Sequence, residues 1–507
     1  MQNKLTLVVV LLGYLVLPMS MSGTTVALPQ IGASLDASGG ALQWVVTGYF
    51  LTASSFMLVA GSTGDLFGRR RIYRAGAAVY ALGSLAAALT PGILVLDVAR
   101  TLTGVGAAGV MAGGGAILAS TFTGTERTRA FAAMGTTAGL GMAIGPTLAG
   151  WLVGALGWRA TFGTFAAAGM LLLAGTFAMA ESRADRRPRV DWGGAVTFIA
   201  GLASVMLAIT QSSRAGWTGP LVLGLLAAGG ALLALFAAVQ RRSAHPVLDL
   251  TLLRNRWFVG WLTSGVVMVL GFGGMMSYLP TFLQGANGMS ARDAGLIMLM
   301  STAPTLFMPL LGGRLVNRGV SPRALITAGL LLIAAGNAWL TVLHPGIGAG
   351  GLLGPLLTVG VGIGLATGLI DAQAMNQVAQ SRTGMAAGLL NTIRGGSQTL
   401  VLALFGSVLI SLLTGRVGDQ AGKVATGELA AAQHDFLAAQ LSDAWQVLLW
   451  AIAAVTVLGA LAVAALLAPA RETARSCKPL SSRSRGMRVT GANVRLRREQ
   501  LSREQPR

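Results

Sequence analysis

The stretch Leu221-Val-Leu-Gly-Leu-Leu-Ala-Ala-Gly-Gly-Ala-Leu-Leu-Ala-Leu-Phe-Ala-Ala-Val239 carries no charged or hydroxyl side chain over nineteen residues, and Gln240-Arg241-Arg242 closes it. At about 1.5 Å of rise per helical residue, this run alone nearly crosses a hydrocarbon core of about 30 Å. Leu5 to Leu17 and Phe165 to Ala180 have the same character once their uncharged flanks are added. None shows the period-two alternation of a barrel strand. Helices are therefore what satisfies their backbone polar groups in lipid.

Composition extends this reading to the whole chain. Charged residues are 11% of the 507, against about a quarter in soluble domains, and apolar residues are 53%. Too little polar surface remains for soluble domains. The expected fold is an all-α integral membrane protein of about 14 transmembrane helices. Among them are helices at 42–62, 129–154, 160–180, 192–211, 219–240, 294–313 and 444–467. The N-terminal apolar run continues into Val26-Ala-Leu-Pro29 without a small-residue cleavage site, so it reads as a membrane helix rather than a leader.

The net charge of +20 would suggest nucleic acid in a soluble chain, but its distribution points elsewhere. With the N-terminus inside, Lys4, Arg69, Arg70, Arg71, Arg183, Arg186, Arg187, Arg189, Arg241, Arg242, Arg314, Arg318 and Arg382 fall on the cytoplasmic side. Only Arg159, Arg214, Arg292, Arg416 and Lys423 fall outside. This is the positive-inside rule, and it places both termini in the cytoplasm of a cell-membrane protein. The partner it implies is a lipid bilayer; no nucleic acid is expected.

A faint repeat divides the chain. The turn Gly61-Ser-Thr-Gly-Asp65-Leu-Phe-Gly68-Arg69-Arg70-Arg71 is echoed by Gly313-Arg-Leu-Val-Asn317-Arg318-Gly319. The expected organisation is an N-terminal six-helix half (1–190), two linker helices (191–242) and a C-terminal six-helix half (243–470). Two pseudo-symmetric bundles with a site between them near the midplane is a transporter layout. An external loop at 414–443 carries a short amphipathic helix near Leu429 to Leu441. Residues 471–507, with eleven basic and three acidic side chains and no apolar period, read as a disordered cytoplasmic tail.

The turn at Gly61, Asp65, Gly68, Arg69 and Arg70 resembles the loop 2–3 signature of the major facilitator superfamily. Val98-Ala-Arg100-Thr-Leu-Thr-Gly104-Val-Gly106 resembles its fourth-helix motif, and Gly141-Met-Ala-Ile-Gly145-Pro146-Thr-Leu-Ala-Gly150 its fifth-helix antiporter motif. Leu42-Gln43-Trp44-Val-Val-Thr47-Gly-Tyr49, Tyr278-Leu-Pro280-Thr-Phe282-Leu-Gln284 and Gly388-Leu-Leu-Asn391-Thr-Ile-Arg394 are similar to its fourteen-helix drug:proton antiporter branch. The resemblance runs from about residue 20 to 412. It implies export by alternating access, with Asp65 and the arginines as a conformational latch. Gly104-Val-Gly-Ala-Ala-Gly109 spells a dinucleotide fingerprint, yet it lies inside an apolar helix and follows no strand, so it reads as helix packing.

Ionisable side chains at membrane depth are costly, and four qualify: Asp97, Arg100, Asp371 and Arg394. Asp97 and Arg100 are three apart and share a helix face, so they can pair. The branch usually places an acid on its first helix where this chain has Ser20. Proton coupling must then use Asp97 or Asp371, assisted by Arg100; a structural ion pair is the competing reading. Candidate substrate contacts are Tyr49, Met275, Tyr278, Asn391, Arg394 and Gln398. The expected partners are protons and a small-molecule substrate, and the chain is expected to act as a monomer.

His245, His344 and His434 lie in separate loops and Cys477 is alone, so neither a metal, a cofactor nor an enzymatic centre is expected. No phosphate-cradling GxxxxGK[ST] segment occurs, which points to an ion gradient as the driving force. The leading reading is a proton-coupled antiporter exporting small amphipathic compounds. Its alternative is an ion-coupled transporter of one specific metabolite, and a non-transporting scaffold is a distant third.

Overall fold

The computed structural model describes residues 2–122, 124–179, 191–242, 250–378 and 383–468, and among them every regular element is helical. The first group of helices is α1 (Gln2–Leu35), α2 (Gly39–Phe67), α3 (Arg69–Ala88), α4 (Ile93–Thr121) and α5 (Gly124–Gly175). Next come α6 (Trp192–Ala215) and α7 (Pro220–Arg242). The last group is α8 (Arg256–Gly285), α9 (Ala291–Thr302), α10 (Pro304–Asn317), α11 (Pro322–Trp339), α12 (Ala349–Asn376), α13 (Thr383–Val417), α14 (Ala421–Ala425) and α15 (His434–Leu466). The tail 471–507 and the arginines at 183, 186, 187, 189 and 382 lie outside the described residues.

Among the described residues eleven helices are long and apolar enough to cross a membrane, so this is a multi-pass membrane protein. Many large apolar side chains face outward, among them Leu89, Leu94, Leu310 and Leu458. Water would penalise that surface; lipid tails do not. α8 is mostly buried, whereas α7 turns most of its length outward.

Several expected boundaries shift for physical reasons. The expected helices 129–154 and 160–180 are the two arms of α5, which reverses between them at Gly157, whose φ of 80° favours glycine. The reversal is visible in the neighbours: Gly145 abuts Met19 and Ser22 of α1, while Gly175 abuts Val9. The expected helix 294–313 is split into α9 and α10 at Pro304, which has no N–H to continue the ladder. The expected turn from Gly61 to Arg71 is almost entirely helical. Gly61 and Asp65 end α2, Arg69 and Arg70 begin α3, and Gly68 alone makes the turn with φ 113°. Its echo in the second half ends likewise on a positive-φ residue, Gly319, φ 92°. The amphipathic helix expected near 429–441 is the start of α15, which begins at His434.

Small residues set the close packing. A Cβ on Gly76 of α3 would lie 2.7 Å from the Gly106 carbonyl and 2.9 Å from the Gly109 carbonyl carbon, so the fingerprint-like glycines seat α3 on α4. In the last group, fully buried Asn337 of α11 donates from Nδ2 to the Gly271 carbonyl of α8 at 2.8 Å.

Candidate transport pathway

The two ends of the bundle differ in charge and in packing. One end, the basic end, holds Arg69, Arg70, Arg71 and Arg74 at the start of α3, Arg241 and Arg242 at the end of α7, and Arg314 on the last turn of α10. At the opposite, far end, the first and last groups of helices meet tightly. Gly150 of α5 presses on the Ala291 carbonyl and Gly295 of α9, and Thr147 donates its hydroxyl to the Gly295 carbonyl at 2.7 Å. Gln284 of α8 donates to the Val26 carbonyl of α1 at 3.0 Å. Gly406 of α13 fits against Gln43 of α2 and the Tyr278 hydroxyl.

Along α5 the packing changes toward the basic end. Gly150 meets the backbone of α9, Gly145 and Gly141 meet the backbone of α1, and Gly139 and Gly135 face open space. Gly61 of α2 and Gly313 of α10 face open space too. Pro146 is buried between the crowded glycines, where its missing N–H weakens the ladder. α13 and α2 stay close as far as Gly395 and Ser54, with a Cβ on Gly395 only 3.1 Å from the Ser54 Cβ.

Between these closures lies a small cavity lined by Thr25, Gln43, Thr47, Ser277, Tyr278 and Leu402, among others. Its free space of about 10 Å³ suits a single water molecule. Tyr278 donates to the Leu402 carbonyl at 3.3 Å and stacks on Phe405 with ring centroids 4.9 Å apart. Phe405 meets Trp445 edge-on at 5.2 Å, so the cavity's wall on this side is a fixed aromatic cluster.

The intramembrane charges fall in two places. Arg100 is 1% exposed, donates Nε to the Val45 carbonyl at 3.0 Å, and lies 4.5 Å over the Tyr49 ring and 5.5 Å from that of Phe162. Its terminal nitrogens find no hydrogen-bond partner, so the guanidinium forms no hydrogen bond to Asp97 here. Asp97 is buried one turn nearer the far end. The Tyr80 hydroxyl, beside Arg100, neighbours Ser20 and Ser84. On the other side Arg394 of α13 pairs with Asp371 of α12 at 2.5 Å, both partly exposed. The two residues were singled out for different roles, and the structure joins them.

The other candidates scatter. Tyr49 is turned into the first group of helices, with its hydroxyl on the Leu17 carbonyl at 3.4 Å and its ring beneath Arg100, away from the cavity lining. Met275 is fully buried, Gln398 donates to the Gly273 carbonyl at 3.4 Å, and Asn391 is half-buried. Of the six, only Tyr278 lines the cavity. Thr25, Gln43, Thr47 and Ser277 were missed as lining residues. The signal was present for two: Gln43 and Thr47 belong to a quoted motif.

One further acid sits at the far end. Glu428, between α14 and α15, turns its Oε1 onto Gly32 in the last turn of α1, where that atom is buried without a hydrogen-bond partner. Burial raises its pKa; Lys423 opposes the rise and Asp36 adds to it. The folded chain thus holds this proton more tightly than the unfolded one. Stability is greatest where both states are protonated and falls as pH rises through the carboxylate range up to the raised value. Melting curves of the detergent-solubilised protein should decline over that range, and Glu428→Gln should flatten the decline. An unchanged pH slope in the variant would assign it to another group.

A bundle of membrane-crossing helices whose first and last groups meet tightly across one end has the form of a transporter. Across residues 10–402 the chain matches the family described as Major Facilitator Superfamily, and it belongs to that superfamily. It is 33% identical over 412 residues to "Multidrug resistance protein Stp" of Mycobacterium tuberculosis (strain CDC 1551 / Oshkosh), covering 81% of this chain and 76% of the relative. It is 27% identical over 413 residues to "Multidrug transporter protein MdtP" of Bacillus subtilis (strain 168), covering 80% and 76%. An auto inhibited POT family peptide transporter of known structure shares the fold, with a TM-score of 0.63 at 19% identity over 91% of this chain and 96% of that one.

Proposed function

We propose that this chain is a proton-coupled antiporter that exports small amphipathic compounds from the cytoplasm by alternating access. The observation that carries the reading is the graded packing along α5, from crowded Gly150 to open Gly139 and Gly135. A carrier that has shut its far end and parted its basic end presents its site to one side only. The names of the relatives, a multidrug resistance protein and a multidrug transporter, support drug-like cargo.

In this reading the basic end is cytoplasmic, because basic residues are retained on that side of the cell membrane. The spans number fourteen once α2 and α3 are added to the eleven apolar ones and α5 is counted as two arms. α1–α5 form the first half, α6 and α7 the inserted pair, and α8–α15 the second half of a monomer. Gly61, Asp65, Gly68, Arg69 and Arg70 act as the latch that closes the basic end in the opposite state. Gly141, Gly145, Pro146 and Gly150 are the sliding surface of the far-end closure, where small side chains admit a neighbouring backbone. Asp97, Arg100 and Asp371 handle the proton, Asp371 on parting from Arg394. Tyr278 and the cavity hydroxyls contact cargo, with Tyr49, Met275, Asn391, Arg394 and Gln398 reached as the halves part.

Everted membrane vesicles from expressing cells test the function. On energisation they should accumulate members of a panel of dyes and antibiotics, and a protonophore should abolish the uptake. Uptake that survives the protonophore, or uptake of one metabolite alone, would overturn it.

A further inference from the structure

The charge distribution along the pathway bears on which compounds can enter it. The two groups of helices meet through α1, α2, α5, α8, α9, α10 and α13. On these helices every carboxylate lies near a terminus: Asp65 at the end of α2, Glu126 at the start of α5 and Asp293 at the start of α9. Their middle portions contain no acid at all. Asp371, on α12 next to this surface, is occupied by Arg394. Asp97 is on α4, which packs on α1, α2, α3 and α5 and thus behind the inner helices of its own group.

The charges that remain near the pathway are Arg394, already paired with Asp371 and one residue from the close approach of α13 to α2 at Gly395, and Arg100. Arg100 is buried directly behind Tyr49 of α2 without a hydrogen-bonded acid. The cavity itself offers hydroxyl and amide groups, from Thr25, Gln43, Thr47, Ser277 and Tyr278.

Aromatic faces are the usual substitute for a carboxylate in holding a cation. Here one face of Tyr49 is taken by Arg100, and one face of Tyr278 by Phe405. A permanent cation entering this site would give up its hydration with no unpaired counter-charge to meet it, and would approach Arg100. A neutral aromatic compound bearing hydroxyl or carbonyl groups would exchange water for Gln43, the threonines and Ser277. An acidic one would do the same and, in competition with Asp371, engage Arg394.

We infer that the pathway selects neutral and acidic aromatic compounds with hydrogen-bonding substituents and excludes permanent lipophilic cations. This rests on the exporter reading and narrows its cargo.

The test uses the full-length chain in proteoliposomes with an imposed pH gradient and the membrane potential clamped. Three probes are compared: tetraphenylphosphonium, a neutral hydroxyanthraquinone and its carboxylated analogue. The two anthraquinones should accumulate, with tetraphenylphosphonium at least about tenfold slower, as expected for a cation desolvated without a partner. Tetraphenylphosphonium moving as fast as the neutral probe would overturn the selectivity while leaving the exporter reading intact. Failure of all three probes would overturn the exporter reading and the selectivity with it. Arg394→Gln exposes Asp371 as an uncompensated carboxylate and should shift the ratio toward tetraphenylphosphonium. A folded variant with an unshifted ratio would contradict the role given to this pair.

Discussion

Gly150→Leu is expected to abolish most transport while leaving the chain folded in the membrane. A Cβ at this position already lies against the Ala291 carbonyl and 3.2 Å from the Gly295 Cα, and leucine adds a branched chain beyond it. Overpacking of a tight contact costs about 1–3 kcal/mol, which moves a balanced two-state equilibrium about five- to 150-fold away from far-end closure. Gly139→Leu supplies the control, because that site on the same helix faces open space and should tolerate the change. Access to the cavity can be followed directly with Ser277→Cys in a Cys477→Ser background, using an impermeant thiol reagent from the far side. Labelling should rise with Gly150→Leu and stay low with Gly139→Leu. Full transport by Gly150→Leu would show that the contact does not gate the far end.

Neutralising the acids should separate proton movement from cargo movement. Asp97→Asn and Asp371→Asn each remove a carboxylate, but they differ in what they leave behind. Asp371→Asn strands Arg394, whereas Asp97 stands next to an Arg100 whose terminal nitrogens have no hydrogen bond to lose. The variant that removes the proton carrier should lose uphill transport by about tenfold or more, a change of about 1.4 kcal/mol in the coupled step, yet keep downhill exchange of cargo. Arg394→Gln distinguishes the effect of a stranded arginine from that of a missing proton site. Full uphill transport in both acid variants would end the assignment to these two residues.

Much of this architecture is readable from residue order because lipid imposes simple demands. Runs such as Leu221 to Val239 must be helical, and clusters such as Arg69 to Arg71 must stay at an aqueous end. α3 illustrates what hydropathy alone misses: it opens on three arginines and falls short of the apolar spans. The reversal at Gly157 falls in the short gap between two expected helices, 129–154 and 160–180. The pairing of Arg394 with Asp371 was not legible because it joins residues 23 apart on two helices whose relative rotation sequence periodicity does not determine. Tyr49 shows the same limitation, since a motif tyrosine can face a cavity or, as here, turn inward beneath an arginine. Glu428 was invisible for a different reason: its setting is created by a loop folding back onto Gly32, nearly four hundred residues earlier in the chain.

The central claim, export driven by proton exchange, is tested most directly in sealed proteoliposomes with an acidic lumen and a trapped pH indicator. Adding a transported compound outside should both accumulate it within and alkalinise the lumen, because each flux is tied to the other. Accumulation that leaves lumenal pH unchanged and persists without the gradient would contradict the account.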